Sequence, residues 1–260
     1  MLGALSTKVF GRRTIEIHDC IDSTNSRLKE LALAGAEEGS LVAAETQTQG
    51  RGRLGRTWHS PPLYNLYFSL LLTELPPVES RPLVTLVAGL AAAEAVLMLT
   101  GRRPGLKWPN DLLLDGRKIA GLLAELDSSK AGREFVVLGV GLNVNLDYEN
   151  LPPELKDQAG SLFMATGRRW DRIEVLAALL WHLENDLTAL KEGRIDGLLR
   201  RYRTFCQTLG ARVEIAQGAD RIRGLAVEVD DCGRLVIECS DTGRLIQVNA
   251  GEVTLIKGRP

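Results

Sequence analysis

Residues 106–126 read Leu106-Lys107-Trp108-Pro109-Asn110-Asp111-Leu112-Leu113-Leu114-Asp115-Gly116-Arg117-Lys118-Ile119-Ala120-Gly121-Leu122-Leu123-Ala124-Glu125-Leu126. Three strand-like runs stand here in succession: Leu106 to Trp108, Leu112 to Asp115 and Lys118 to Leu126. The third is so apolar that it predicts burial on both faces. Helical patterns lie on either side of this block, so the chain reads as α+β.

Toward the N-terminus, Thr14 to His18 alternates as a strand does. Asp22-Ser23-Thr24-Asn25 supplies N-cap residues for a helix with Leu28, Leu31 and Ala32 inward and Gly35 as its stop. Leu41 to Thr46 and Tyr64 to Leu72 read as strands. Between them, Gln47 to Trp58 is too rich in Gly and Arg to form a core element. Ser80-Arg81-Pro82 opens a long apolar helix that Gly101 closes. Glu94 interrupts it, so its longest stretch without charge is the twelve residues Pro82 to Ala93. A membrane span needs about 18, so this is a buried core helix.

Toward the C-terminus, Glu134 to Asn145 is a further strand. Asp171 with Glu174 approaches a capping box and opens a helix with Ile173, Leu176, Leu180, Leu183 and Leu187 on one side. A second helix spans about Asp196 to Leu209 and ends at Gly210. Short alternating runs then follow: Arg212 to Ala216, Arg221 to Val229, Leu235 to Cys239, Leu245 to Val248 and Val253 to Ile256. Five short strands separated by turn signals predict a small barrel. The expected domains are 1–210 and 211–260.

The 260 residues are 45% hydrophobic and 25% charged, which fits an ordered globular chain. Net charge is -1, from 32 Lys+Arg against 33 Asp+Glu. A protein that grips nucleic acid through phosphates carries a basic surplus; this one has none. Cys20, Cys206, Cys232 and Cys239 form no CxxC pair, and His18, His59 and His182 form no HExxH. No structural zinc, no fixed protein metal site and no disulfide framework are expected. Met1 to Arg13 lacks an apolar leader core. The expected setting is cytoplasmic, with no membrane partner.

Four segments carry chemistry. Gly50-Arg51-Gly52-Arg53-Leu54-Gly55-Arg56-Thr57-Trp58 combines glycines for close backbone approach, arginine forks for phosphate or carboxylate, and a flat indole. It reads either as a loop around a phosphorylated nucleotide or as a solvated basic loop. It is not a Walker loop, because no GxxxxGK[ST] occurs. Lys107-Trp108-Pro109-Asn110-Asp111 sets a Lys, an amide and a carboxylate at a strand end. Pro109 makes a rigid corner there, although Asn-Asp alone is a routine turn. Lys118 to Glu125 puts a Lys at the mouth of an apolar strand, which is also a common surface feature. Gly139-Val140-Gly141-Leu142-Asn143-Val144-Asn145 places glycines inside a strand, the mark of a bulge or of close approach.

Taken in order, these segments resemble the biotin protein ligases. The matching residues are Ser23-Thr24-Asn25, Gln47, Gly50 to Trp58, Lys107 to Asp111, Lys118 to Gly121 and Gly139 to Asn143, within about residues 14 to 256. The resemblance implies a mixed β-sheet catalytic domain with flanking helices, related to lipoyl ligases and class II synthetase cores, and an SH3-like C-terminal barrel. It implies a short form without an N-terminal DNA-binding domain. It also implies two steps: biotin and Mg-ATP give biotinyl-AMP, and a lysine of a biotin carboxyl carrier protein then takes the biotin. No cofactor is held permanently, and a homodimer is known in the family.

The resemblance also implies roles. Lys118, Arg53, Lys107 and Asp111 would be catalytic. Ser23, Thr24, Asn25, Gln47, Gly50, Arg51, Gly52, Arg53, Lys118, Gly121 and Gly139 would surround biotin. Arg53, Arg56, Trp58, Lys107, Asn110, Asp111, Lys118 and Asn143 would hold ATP or the adenylate, with Trp58 and Asn143 at the adenine. Asp111 could serve the acceptor amine, a metal or a loop. The Gly/Arg loop is expected to be mobile when empty and ordered by ligand.

A lipoyl ligase would have less use for the Arg-rich loop and the neutral polar set. A DNA-binding regulator lacks support: thirteen residues precede the first strand, and Arg212 to Arg259 holds seven Lys/Arg against eight Asp/Glu. A binding module without catalysis would not need Lys107, Asn110, Asp111 and Lys118.

Overall fold

A computed structural model describes residues 6–217, 220–249 and 251–256. The first five residues, on which the reading of the leader partly rests, lie outside the described residues. So do Lys257 and Arg259 of the C-terminal charge count.

The central sheet has seven strands in the order β1-β2-β3-β7-β6-β5-β4. They are β1 (Ile15–Ile21), β2 (Leu41–Gln47), β3 (Leu66–Leu72), β4 (Gly105–Lys107), β5 (Asp111–Leu114), β6 (Arg117–Ser128) and β7 (Glu134–Leu142). β1 and β2 run parallel, and every other neighbouring pair is antiparallel. The sheet is therefore mixed. Asp115 (φ 51) and Gly116 (φ 76) turn β5 into β6; two residues at positive φ are what a two-residue hairpin needs.

Among the described residues, five helices flank it: α1 (Thr24–Leu33), α2 (Leu83–Thr100), α3 (Leu162–Thr166), α4 (Arg172–Lys191) and α5 (Ile195–Phe205). α2 is apolar on most sides because α4, α5 and the sheet cover most of it, although Met98 near its end is exposed. It is long and apolar enough to cross a membrane, yet 67% of it is buried in this molecule. Its C-terminus stops at Gly101, with φ 69. On the opposite sheet face, α1 covers one end only, with Leu28 against Val42, Leu71, Phe135 and Val137. The rest of that face is left open.

Some expectations need correction. β6 is not buried on both faces: from Gly121 to Ser128 only Leu122 is fully buried. The strand is antiparallel to its neighbours, and one face lines the open side. The core stripe of α4 includes Val175 and Leu179, whereas Ile173 and Leu176 are only partly covered. α5 ends at Phe205, four residues before the expected end. There the chain leaves the helix to bond β4: Cys206 pairs with Leu106, and Gln207 N donates to Leu106 O at 2.8 Å.

The C-terminal strands are β8 (Arg212–Gln217), β9 (Asp220–Val229), β10 (Leu235–Cys239), β11 (Leu245–Val248) and β12 (Glu252–Leu255). They form a separate antiparallel sheet in the order β11-β10-β9-β8-β12. It is bound to the rest by buried contacts. Trp108 Nε1 donates to Gly233 O at 3.0 Å, and Trp108 N donates to Thr208 Oγ1 at 2.9 Å. A Cβ on Gly233 would lie 2.8 Å from the Leu86 side chain, so the two layers touch closely.

Candidate active site

The open sheet face has a floor of glycines. A Cβ on Gly139 would lie 2.2 Å from Asn25 Oδ1. On Gly141 it would lie 2.5 Å from the Trp58 ring, and on Gly121 2.8 Å from the same ring. Missing side chains thus let the start of α1 and the Trp58 indole lie directly on the strands.

Residues 50–58 are the roof. Arg51 pairs with Thr57 across a hairpin. Gly52 N donates to Arg56 O at 2.7 Å, and Trp58 N donates to Gly50 O at 2.8 Å. Leu54 (φ 57) and Gly55 (φ 73) form its tip. Leu54 holds a backbone conformation that a branched apolar residue rarely adopts, and its side chain is exposed. Between floor and roof lies a cleft.

One end of the cleft is neutral and polar. Thr24 N donates to Gln47 Oε1 at 2.9 Å, and the Thr24 hydroxyl reaches the same oxygen at 3.2 Å. Ser69 Oγ, buried in β3, lies 2.8 Å from Thr24 Oγ1 and 2.5 Å from Asn25 Oδ1. Gln47 Nε2 donates to Ser60 Oγ at 3.2 Å. Ser23 starts α1 through extended backbone, but its hydroxyl makes no cap bond, contrary to the sequence expectation. Its side chain faces the cleft instead.

The other end is cationic. Lys107, Lys118, Arg53 and Arg56 converge there. Lys118 Nζ lies 2.7 Å from Asp111 Oδ1 and 5.2 Å from the centre of the Trp58 ring. The Lys118 backbone is held on both sides: its N–H donates to Gln158 O at 2.7 Å, and its carbonyl accepts from Gly160 N at 2.9 Å. Arg53 Nη1 donates to Asn110 Oδ1 at 3.2 Å. Arg56 pairs with Glu252 of β12 and draws that carboxyl below its ordinary range. Burial pushes the Lys107 ammonium and the Arg53 guanidinium down, against the pull of Asp111. Lys118 and Arg56 push Lys107 down further. Cations crowded together and partly stripped of water favour an anionic ligand.

Two residues expected in the site do not line the cleft. Gly50 is buried beneath the hairpin, where a Cβ would lie 2.6 Å from Trp58 O. Asn143 is 5% exposed, and its amide donates to Gly160 O at 2.9 Å. The other expected residues do line it. Sequence reasoning missed Ser69, Glu125 and the Gly251–Val253 stretch. A small serine in the otherwise bulky run Leu66-Tyr67-Phe68-Ser69-Leu70 was a readable signal. Glu252, contributed by the other sheet, carried none. Among the described residues, no group of three His, Cys, Asp or Glu side chains could hold a metal ion.

Such a cleft suits a ligand with a neutral hydrogen-bonding head and a polyanionic tail. Residues 17–143 match the biotin/lipoate A/B protein ligase family. A biotin–[acetyl-CoA-carboxylase] ligase of Mycobacterium tuberculosis is 35% identical over 95% of this chain and 91% of its own. This chain belongs to the biotin protein ligase family. The bifunctional ligase/repressor BirA of Bacillus subtilis is 33% identical, over 91% of this chain and 73% of its own length. The biotin protein ligase of Aquifex aeolicus, solved in complex with biotin and ATP, superposes with a TM-score of 0.80. It is 33% identical and covers 94% of this chain and 99% of its own. The glycine floor, the hairpin roof and the paired cations thus belong to a ligase of this family.

Proposed function

We propose that this ligase activates biotin with ATP and transfers it to a lysine of a carboxylase carrier protein. One observation carries the reading: a neutral polar pocket and a cluster of four cations share one cleft under one roof. Biotin has a ureido head that needs neutral donors and acceptors, and Ser23, Thr24, Asn25 and Gln47 offer them. Its carboxylate must meet the α-phosphate of ATP. Two anions approach each other in that step, so cations must screen both. Lys118, held by Asp111, stands where valeryl carboxylate and phosphate would meet. Arg53, Arg56 and Lys107 take the remaining phosphate charge, and Trp58 offers its face to the adenine.

The carboxylate oxygen attacks phosphorus, pyrophosphate leaves, and biotinyl-AMP forms. The carrier amine, as the free base, then attacks the acyl carbon; AMP leaves and the nitrogen gives up a proton. A hairpin closed over the anhydride keeps water away from it. Magnesium would arrive with ATP; Asp111 and Glu252 are each already tied to a cation. In this reading residues 1–210 are the catalytic domain and 211–260 an SH3-like barrel that lends Glu252 to the cleft.

Four free thiols fit a cytoplasmic setting. The β1 edge, with Ile17 57% exposed, supports self-association by strand pairing. Sedimentation across a concentration range tests that part. The central test mixes the protein with ATP, magnesium, biotin and a carrier domain. A covalent mass increase on the carrier lysine is expected, and an unlabelled carrier refutes the proposal. Pyrophosphate exchange driven by lipoate instead of biotin would reassign the substrate.

A further inference from the structure

Glu125 has no part in the roles above, yet it joins two walls of the cleft. It closes the apolar run that begins at Lys118, on the open face of β6. Its Oε2 accepts from Asn25 Nδ2 at 2.7 Å and from Arg51 Nη2 at 2.8 Å. Asn25 lies 100 residues away in sequence and Arg51 lies 74 away, and both converge on one oxygen. Asn25 is 4% exposed, and its carbonyl oxygen is fixed from below by Ser69 Oγ. Gly139 leaves the space that lets the amide sit there. One polar chain therefore runs Ser69–Asn25–Glu125–Arg51, from the sheet interior to the roof.

A second chain meets the far end of the hairpin. Thr24 bonds Gln47, Gln47 bonds Ser60, and Ser60 Oγ donates to Trp58 O at 3.1 Å. Both stems of the roof are thus tied to the residues at the neutral end. Ser69 and Thr24 have one hydroxyl proton each, but three contacts to fill with them: Ser69 to Asn25, Ser69 to Thr24, and Thr24 to Gln47. A ligand that bonds Thr24 or Asn25 redirects those protons, and the ties to the roof respond.

We propose that Glu125 is a positioning residue that couples occupancy of the neutral pocket to closure of the hairpin. It acts through Asn25 and Arg51 and touches no reacting atom. The inference rests on the biotin-ligase reading. As a mere surface ion pair, with side chains 42% and 37% exposed, Arg51–Glu125 would be worth little and would touch only stability. As a latch it changes what biotin does to the roof.

The test is a double-mutant cycle of E125Q and R51Q, read by the KM for biotin, by kcat, and by trypsin cleavage at Arg53 and Arg56. In the parent, biotin is expected to slow that cleavage. E125Q should abolish most of the protection and raise the biotin KM roughly three- to fivefold, with kcat moving less. The double variant should be no worse than either single one. E125D, which keeps the charge, should restore part of the protection. Strictly additive effects, or undiminished protection in E125Q, overturn the coupling. A parent that transfers biotin but yields additive variants refutes this inference alone. A parent that neither binds nor transfers biotin refutes the functional reading beneath it.

Discussion

The glycine floor makes its own test, because two Gly→Ala changes in one chain should have opposite results. At Gly139 the new methyl would stand 2.2 Å from Asn25 Oδ1 and 2.9 Å from its Cγ. Asn25 cannot swing away freely: it is buried in the first turn of α1, and its two amide atoms are bonded to Ser69 and Glu125. Overpacking costs about 1–3 kcal/mol. A buried amide that loses its partners costs about 1–3 kcal/mol more. Gly139→Ala should therefore destabilise by about 2–6 kcal/mol, which for a chain of this size lowers Tm by several degrees or more. Biotin binding should weaken in parallel, since Asn25 forms part of the neutral pocket.

Gly197, in α5, has nothing within 4 Å of an added Cβ. There, Gly→Ala should stabilise by up to ~1 kcal/mol through helix propensity and leave biotin binding as it was. Thermal unfolding and biotin calorimetry on the two variants decide the matter. A Gly139→Ala protein that melts within a degree or two of the parent and binds biotin equally well would show that the glycine does not set the position of Asn25.

Three other outcomes are expected. Arg53→Gly should speed release of biotinyl-AMP more than release of biotin, since the guanidinium faces the cationic end near Asn110; equal adenylate off-rates in stopped flow would contradict this. Trp108→Phe leaves the Gly233 carbonyl without its buried donor and should cost about 1–3 kcal/mol in urea unfolding; an unchanged midpoint would refute it. Glu94 is the pH case. Burial opposes its ionised form, but His182 and Arg201 overcome that and hold its carboxyl at about 2, below the ordinary 4.5. A lowered carboxyl stabilises above its unfolded value and loses that effect as pH falls toward the folded one. Glu94→Gln should thus cost up to about 3 kcal/mol at neutral pH, and the gap from the parent should shrink as pH falls below 4.5; a gap constant with pH would exclude the assignment.

The fold was legible wherever a local pattern sufficed. Alternation found β8 to β12 within a residue or two, and Pro82 and Gly101 bracketed α2. Patterns failed where a distant segment decided the outcome. β6 reads as buried on both sides because Leu122, Leu123 and Ala124 are all apolar, yet Leu123 faces the open cleft while Ala124 packs on the core. α5 ends early because Cys206 and Gln207 bond the edge of β4. The same holds in the cleft. Motif order located the Gly/Arg loop, the lysines and the polar set. It gave Asn143 an adenine role; the structure places that side chain outside the cleft lining, with its amide donating to Gly160 O. It left out Glu252, which meets Arg56 only after the second sheet has folded.

The bond from Gln207 to β4 also limits assembly. The seven-stranded sheet has two edges, β1 and β4. The chain that leaves α5 occupies backbone positions on β4, at Leu106. Among the described residues, only β1 then presents a free row of donors and acceptors along this sheet. Two copies joined through β1 would each use their one open edge on the other, so this sheet can add a neighbour once and then stops, with no growing end left for a fibre.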